Sequence, residues 1–156
     1  METALNPRFT IRPVEPRDLP AIAAIESASL PWAAHWTGES YLCAPEGERW
    51  ARVAESDRGI AGFVLARWTG GEMEILNLAV HPTNRRQGAG RALAAAALQQ
   101  GAARGAAQVF LEVRASNLAA LAFYARLGFT PTGRRPAYYQ EPREDAVLMA
   151  RAIAPA

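Results

Sequence analysis

Leu76-Asn77-Leu78-Ala79-Val80-His81-Pro82-Thr83-Asn84-Arg85-Arg86-Gln87-Gly88-Ala89-Gly90-Arg91, running on into the Ala/Leu-rich segment 92–98, is the stretch around which the chain is organised. Leu76, Leu78 and Val80 alternate with their neighbours, which is the period of a strand. Pro82 has no N–H to give a ladder, so the strand is expected to stop before it. The alanine-rich segment that follows is a strong helix former. Gly88 and Gly90, at spacing two, let the backbone come close to a ligand at the mouth of that helix. The first N–H groups of a helix have no internal partner and carry the positive end of its dipole. With Arg85, Arg86 and Arg91 nearby, the turn reads as an anion cradle suited to a diphosphate.

Three anion-binding turns can be compared with it. A P-loop ends in Gly-Lys-Ser/Thr, and all 17 basic residues of this chain are arginine. A dinucleotide fingerprint needs a third glycine where Leu93 stands, although Glu112, 22 residues after Gly90, lies near the spacing of a ribose-binding acid. Arg85-x-x-Gly88-x-Gly90 fits completely the Arg/Gln-x-x-Gly-x-Gly/Ala signature that grips the pyrophosphate of coenzyme A. A glycine-containing strand–helix turn on an arginine-rich surface, with no ligand, accounts for the same residues.

The 156 residues are half apolar and 21% charged, the composition of one globular domain with a sizeable core. No apolar run reaches the length of a bilayer span, and no signal-peptide h-region opens the chain, so no membrane partner is expected. Cys43 is the only cysteine, which excludes an internal disulfide and leaves a cytoplasmic home as the expectation. A net charge of +2 with dispersed arginines does not point to nucleic acid. The absence of lysine excludes a Schiff-base mechanism and self-modification of a lysine side chain.

Taken in order, Phe9 to Arg12 alternates as a short strand, and Pro16-Arg17-Asp18 opens a helix through Glu26 with Leu19, Ile22, Ala23 and Ile25 expected inward. Leu30 to Tyr41 is irregular, with Thr37 placed to cap a brief helix to Leu42. Arg49–Glu55 and Gly59–Trp68 flank a turn and read as a hairpin, and Gly70-Gly71 turns the chain into a strand from Glu72 to Val80. The first half is therefore antiparallel. A helix is expected from about Gly88 to Gln100 or a little beyond, then a buried strand from Gln108 to Arg114. That strand should lie parallel to the cradle strand by a right-handed crossover. Ser116 or Asn117 caps a second helix to Leu127, closed by Gly128. Phe129–Thr132 and Ala146–Ala150 are expected as a last strand pair around a long loop holding Arg134, Arg135, Tyr138 and Tyr139.

Several of these stretches together resemble the GNAT family of N-acetyltransferases, and within it the ribosomal-protein-alanine branch. The resemblance is carried by Asn77–Val80, Arg85–Gly90, Glu112-Val113-Arg114-Ala115-Ser116-Asn117, Phe123–Phe129, Tyr138-Tyr139 and Arg143–Ala146. Trp36-Thr37 is similar to that branch's Trp-Ser segment. The departures are a longer Leu30–Tyr41 segment, Pro136-Ala137 before the tyrosine pair, and Gln140 in place of a proline. The resemblance implies a single N-acetyltransferase domain over 1–156 with an α/β fold. Its sheet is mixed and mostly antiparallel, a central parallel pair is splayed, and helices cover both faces. It further implies acetyl-CoA as co-substrate, no metal, and as acceptor the α-amino group of a protein N-terminus, alanine of a small-subunit ribosomal protein. A lysine, a small amine, or acyl-CoA binding without turnover are the other readings.

On that resemblance Gln87, Gly88, Ala89, Gly90 and Arg91 hold the pyrophosphate, with Arg85 and Arg86 beside them, and Leu78, Ala79 and Val80 pair with the pantetheine arm as an added strand does. Glu112 is the base that takes the acceptor's proton; alternatively it is a surface glutamate paired with Arg114. Tyr124, seven residues after Asn117, is the acid for the leaving thiolate, both residues facing the cofactor; alternatively it fills the apolar helix face beside Phe123. Tyr138 and Tyr139 line the acceptor, and Trp32 and Trp36 line its groove or else pack as core or lid. Cys43 with His35 would supply a covalent route with nothing to orient it, His81 reads as the entry to the Pro82 turn, and none of the three has metal spacing.

Overall fold

A computed structural model of the chain describes residues 8–29, 41–42, 48–140 and 142–153. The expected helix capped by Thr37, and Trp32, His35, Trp36 and Cys43, lie outside the described residues. The elements are β1 (Thr10–Pro13), α1 (Leu19–Ser29), β2 (Arg49–Ser56), β3 (Gly59–Thr69), β4 (Glu72–Val80), α2 (Ala89–Ala103), β5 (Gln108–Arg114), α3 (Leu118–Arg126), β6 (Thr130–Gln140) and β7 (Arg143–Ala152). The seven strands form one sheet in the order β1-β2-β3-β4-β5-β7-β6. Only β4 and β5 run parallel; the other neighbours are antiparallel.

A 3-10 turn, Pro16–Asp18, leads into α1. Asp18 accepts the Glu15 N–H at 2.7 Å and two bonds from the Arg12 guanidinium at 2.8 and 2.9 Å. That guanidinium holds the buried Asp18 carboxyl below the usual carboxylate range. β3 is buried along both faces because alternate residues serve different layers. Phe63 and Leu65 pack with Ile22 and Ile25 of α1, whereas Val64 and Ala66 join Leu93 and Ala97 of α2. The helices thus cover both faces, α1 on one and α2 with α3 on the other.

β4 departs from simple alternation. Leu65 pairs with Asn77 and Ala66 with Ile75, so Leu76 is an extra residue in a bulge. Leu76 packs on the α1 side, while Leu78 and Val80 pack on the α2 side with Met73 and Ile75. The uniform Leu76–Leu78–Val80 face expected from the sequence is therefore split. Without the bulge, Met73 and Ile75 would face away from Leu78 and Val80, because a one-residue slip inverts every side chain. The parallel ladder with β5 covers only Met73–Ile75 against Val109–Leu111. Beyond it β4 and β5 diverge, giving the splayed central pair.

The long loop expected before Ala146 is instead strand. β6 continues to Gln140 and β7 starts at Arg143. Pro136 interrupts the ladder, but Arg135 pairs with Ala146 and Tyr139 with Glu144, so a wide bulge accommodates Pro136, Ala137 and Tyr138 opposite Asp145. Asp145 clamps that bulge, accepting the Ala137 N–H at 2.9 Å and an Arg134 N–H at 2.8 Å. Ala137 takes a left-handed φ of 51° to make the bond.

Gly62 sets how closely β3 approaches the end of the cradle strand. A Cβ there would lie 2.7 Å from the Ala79 carbonyl oxygen and 3.2 Å from Leu93 Cδ1 and Val80 Cγ2. Gly62→Val should lower stability by about 1–3 kcal/mol, the usual cost of overpacking. Urea denaturation of the two proteins checks this, and an unchanged midpoint would mean that the strands separate without cost.

Candidate functional site

The cradle is built as a nest at the mouth of α2. Arg86 and Gly88 take left-handed φ values of 64° and 93°, and Ala89 opens the helix. The first helical bond runs from the Ala92 N–H to the Gly88 carbonyl at 3.0 Å, so the Ala89, Gly90 and Arg91 amides point out of the helix end. The side chains of Arg85, Arg86, Gln87 and Arg91 are exposed around it. Amides, dipole and arginines together suit a diphosphate. At Gly90 a Cβ would lie 3.4 Å from Phe123 and 3.5 Å from Val80, ordinary van der Waals contact, so packing alone does not demand glycine there. His81 caps the short turn Pro82–Asn84, its Nδ1 accepting the Thr83 N–H at 3.2 Å.

Next to the cradle, Leu78 and Val80 are half-buried and Ala79 is buried, on the part of β4 that has left β5. Glu112 stands on β5 beyond the point of divergence. Its neighbours Leu111 and Val113 belong to the core under α2 and α3, so Glu112 projects from the opposite, α1-side face. The dinucleotide reading is overturned by the sheet, whose single parallel pair falls short of the open, mostly parallel sheet which that fold needs.

The expected pairing of Glu112 with Arg114 is not made. Arg114 bonds Glu144 at 2.9 Å and stacks over Tyr139 at 4.2 Å, and it holds the Glu144 carboxyl below its ordinary range. Glu112 is paired with the Arg135 guanidinium of β6 instead. The bulge at Pro136-Ala137 brings Tyr138 and Tyr139, which strict alternation would send to opposite faces, to 5.1 Å between ring centroids. The charge of Glu112, and a hydrogen bond to it, raise the Tyr138 phenol above its usual value. Burial is the main reason Tyr139 is pushed up to about 12.

Tyr124 comes from the other face, on α3, 7% exposed and packed edge-on against Phe123 at 5.0 Å and Phe129 at 5.4 Å. Burial alone raises its phenol above the usual range, so the hydroxyl stays protonated. Asn117 stands at the start of the same helix. Its Oδ1 accepts the Ala120 N–H at 3.1 Å as the cap of α3, so its acceptor is committed to the helix.

A buried polar cluster beside the slot was invisible in the sequence. Glu26 of α1, 3% exposed, accepts the Tyr41 hydroxyl at 2.6 Å and the Asn77 amide at 3.1 Å. It fastens α1 to the bulged part of β4. Its members lie up to 51 positions apart, and no local pattern marks them. Among the described residues no group of three or more His, Cys, Asp or Glu could hold a metal, and no helix is long and apolar enough to cross a membrane.

Residues 15–129 match the model of the Acetyltransferase (GNAT) family. The chain is 38% identical over 149 residues to the [Ribosomal protein bS18]-alanine N-acetyltransferase of Escherichia coli K12, covering 92% of this chain and 97% of that protein. Among solved structures it resembles the ribosomal-protein-S18-alanine N-acetyltransferase from Escherichia coli, with a TM-score of 0.81 and 35% identity over 95% and 96% of the two chains. It also resembles Chaetomium thermophilum Naa20 in complex with a bisubstrate analogue, with a TM-score of 0.80 and 25% identity over 92% and 86% of the two chains. The fold, the cradle at its helix mouth and a family match across most of the chain converge: this chain belongs to the GNAT family and is an N-acetyltransferase.

Proposed function

We propose that the protein acetylates the α-amino group of a protein N-terminus, alanine of a small-subunit ribosomal protein, using acetyl-CoA in the cytoplasm, and that 1–156 act as one domain. The observation that carries this is the similarity to the Escherichia coli bS18-alanine enzyme along 92% of this chain, which spans both the slot and the tyrosine-lined wall.

The co-substrate supplies the acetyl thioester and a thiol leaving group. The amides of Gln87 to Arg91 hold its pyrophosphate, with Arg85 and Arg86 flanking, and the diverged edge of Leu78–Val80 pairs with the amide-rich arm. Glu112 takes the acceptor's proton from the α1-side face. Tyr124 gives a proton to the departing sulfur from the α3 side. The two groups lie on opposite faces of the sheet, so the acceptor and the thiol do not compete for one opening. Burial keeps the Tyr124 phenol protonated, so it meets the departing sulfur with its proton in place. The acceptor is read as an α-amine because its pKa of ~7.8 lies well below the ~10.4 of lysine, a difference of roughly 3.5 kcal/mol in the cost of neutralising it. Tyr138 and Tyr139 wall the entry of an extended chain end, and Trp36 is kept as an acceptor contact on its sequence resemblance alone.

Peptides beginning with alanine, with free and with blocked N-termini, the latter carrying an internal lysine, test the acceptor class with acetyl-CoA. Only the free peptide should be acetylated; equal acetylation of the blocked lysine peptide would move the assignment to lysine. Tyr124→Phe keeps the ring packing and removes the proton. Its kcat should fall by about 10²–10⁴ with an unchanged melting temperature, and a variant with wild-type kcat would return Tyr124 to a packing role.

A further inference from the structure

The cation on Glu112 comes from an unexpected place. Arg135 Nε donates to Glu112 Oε2 across the intervening strand β7. The bond runs diagonally across β7: Arg135 is in register with Ala146, whereas Glu112 is in register with Leu148, two residues further along that strand. Other charged and titratable groups around the carboxylate are already engaged. Arg114 is bonded to Glu144 and Pro142, Arg67 to Glu74, and Arg134 to Asp145, while Tyr138 leans on Glu112 itself. The Arg135 side chain is 57% exposed and that of Glu112 only 14%. The guanidinium therefore covers the solvent side of the carboxylate, which is the side open to an acceptor.

We infer that Arg135 is a stand-in for the acceptor's ammonium. It occupies the cation site on Glu112 until an incoming α-amine displaces it, and this rests on the reading of Glu112 as the base. Three physical points support the exchange. A mostly covered carboxylate left without a cation would bear an uncompensated desolvation cost, so a resident cation keeps the Glu112 side chain partnered and aimed. An ion pair with one partner more than half exposed is weak in water, so an arriving ammonium replaces it cheaply. A guanidinium is not deprotonated in proteins, so Arg135 holds the site without consuming the base, whereas an α-ammonium surrenders its proton to Glu112. Arg135 is thus a positioning residue that competes with the acceptor and not with acetyl-CoA.

The test compares steady-state kinetics of the wild type, Arg135→Gln and Arg135→Met, with a free N-terminal alanine peptide and acetyl-CoA as the varied substrates. Removing the competitor should lower the peptide KM by roughly two- to sixfold, the range expected for displacing an exposed pair, and leave the acetyl-CoA KM as it was. Ethylguanidinium added to either variant should restore the higher peptide KM by competition with the peptide alone. A peptide KM that stays constant or rises in both folded variants, or a change shared equally by both substrates, overturns the stand-in. Glu112→Gln, measured in parallel, separates the two readings. If it loses kcat while the Arg135 variants keep the wild-type peptide KM, the stand-in alone is overturned. If it keeps wild-type kcat, the base assignment falls first and the stand-in with it.

Discussion

The three-residue parallel contact between Met73–Ile75 and Val109–Leu111 is the constraint on which the rest of the site depends. A longer ladder would close the sheet and leave no slot. A shorter one would cut the two halves of the sheet apart, since β1 to β3 reach β5, β7 and β6 only through this contact. The bulge at Leu76 is placed at its end, where an extra residue turns the strand and re-aims the side chains that follow. Beyond it β4 keeps its antiparallel partner β3 but presents its other edge to the gap, and an edge of main-chain amides is what an amide-rich ligand can complete.

Each flank of the slot is held by different chemistry. On the α1 side, buried Glu26 and Tyr41 and half-buried Asn77 form a hydrogen-bonded set, in which removing Tyr41 leaves the Glu26 carboxylate short of a partner away from water. Burial, with the Glu26 carboxylate, pushes the Tyr41 phenol far above its usual range, so it remains a donor at every physiological pH. On the other side the contacts are apolar. Gly90 of α2 lies against Phe123 and Val80, and Tyr124 packs between Phe123 and Phe129. A rigid polar pin on one side and close aromatic packing on the other fix the two faces from which base and acid approach.

The arginines fall into two groups that the net charge of +2 conceals. Arg85, Arg86 and Arg91 ring the helix mouth, where backbone amides already favour an anion. Arg114, Arg134 and Arg135 are paired with Glu144, Asp145 and Glu112 on the β5–β7–β6 surface. The first group adds to a positive site, whereas the second is neutralised pair by pair and orders the wall where an acceptor would bind. The Pro136-Ala137 bulge belongs to that order: Asp145 spends one oxygen on the Ala137 amide and the other on Arg134, which turns Tyr138 toward Glu112.

By itself the sequence determined whatever depends on neighbours within about one element. Alternation marked the strands, Gly59 and Gly70-Gly71 the turns, Asn117 and Gly128 the limits of α3, and the Arg85 to Gly90 spacing the cradle, because propensity, capping and left-handed φ are local properties. The helix–strand order also made the β4–β5 pair parallel, since a crossover leaves little choice of hand. What only the tertiary structure decided is which distant groups meet. The Leu76 bulge exists because the two ends of β4 must bury their apolar residues in one core, a demand made by β3 and α2 and not by β4. Arg135, not Arg114, pairs with Glu112 because the β5-β7-β6 strand order brings Arg135 within reach across β7, while Glu144 holds Arg114. Strand order and register set these partners, and neither is encoded in the spacing of residues along one strand.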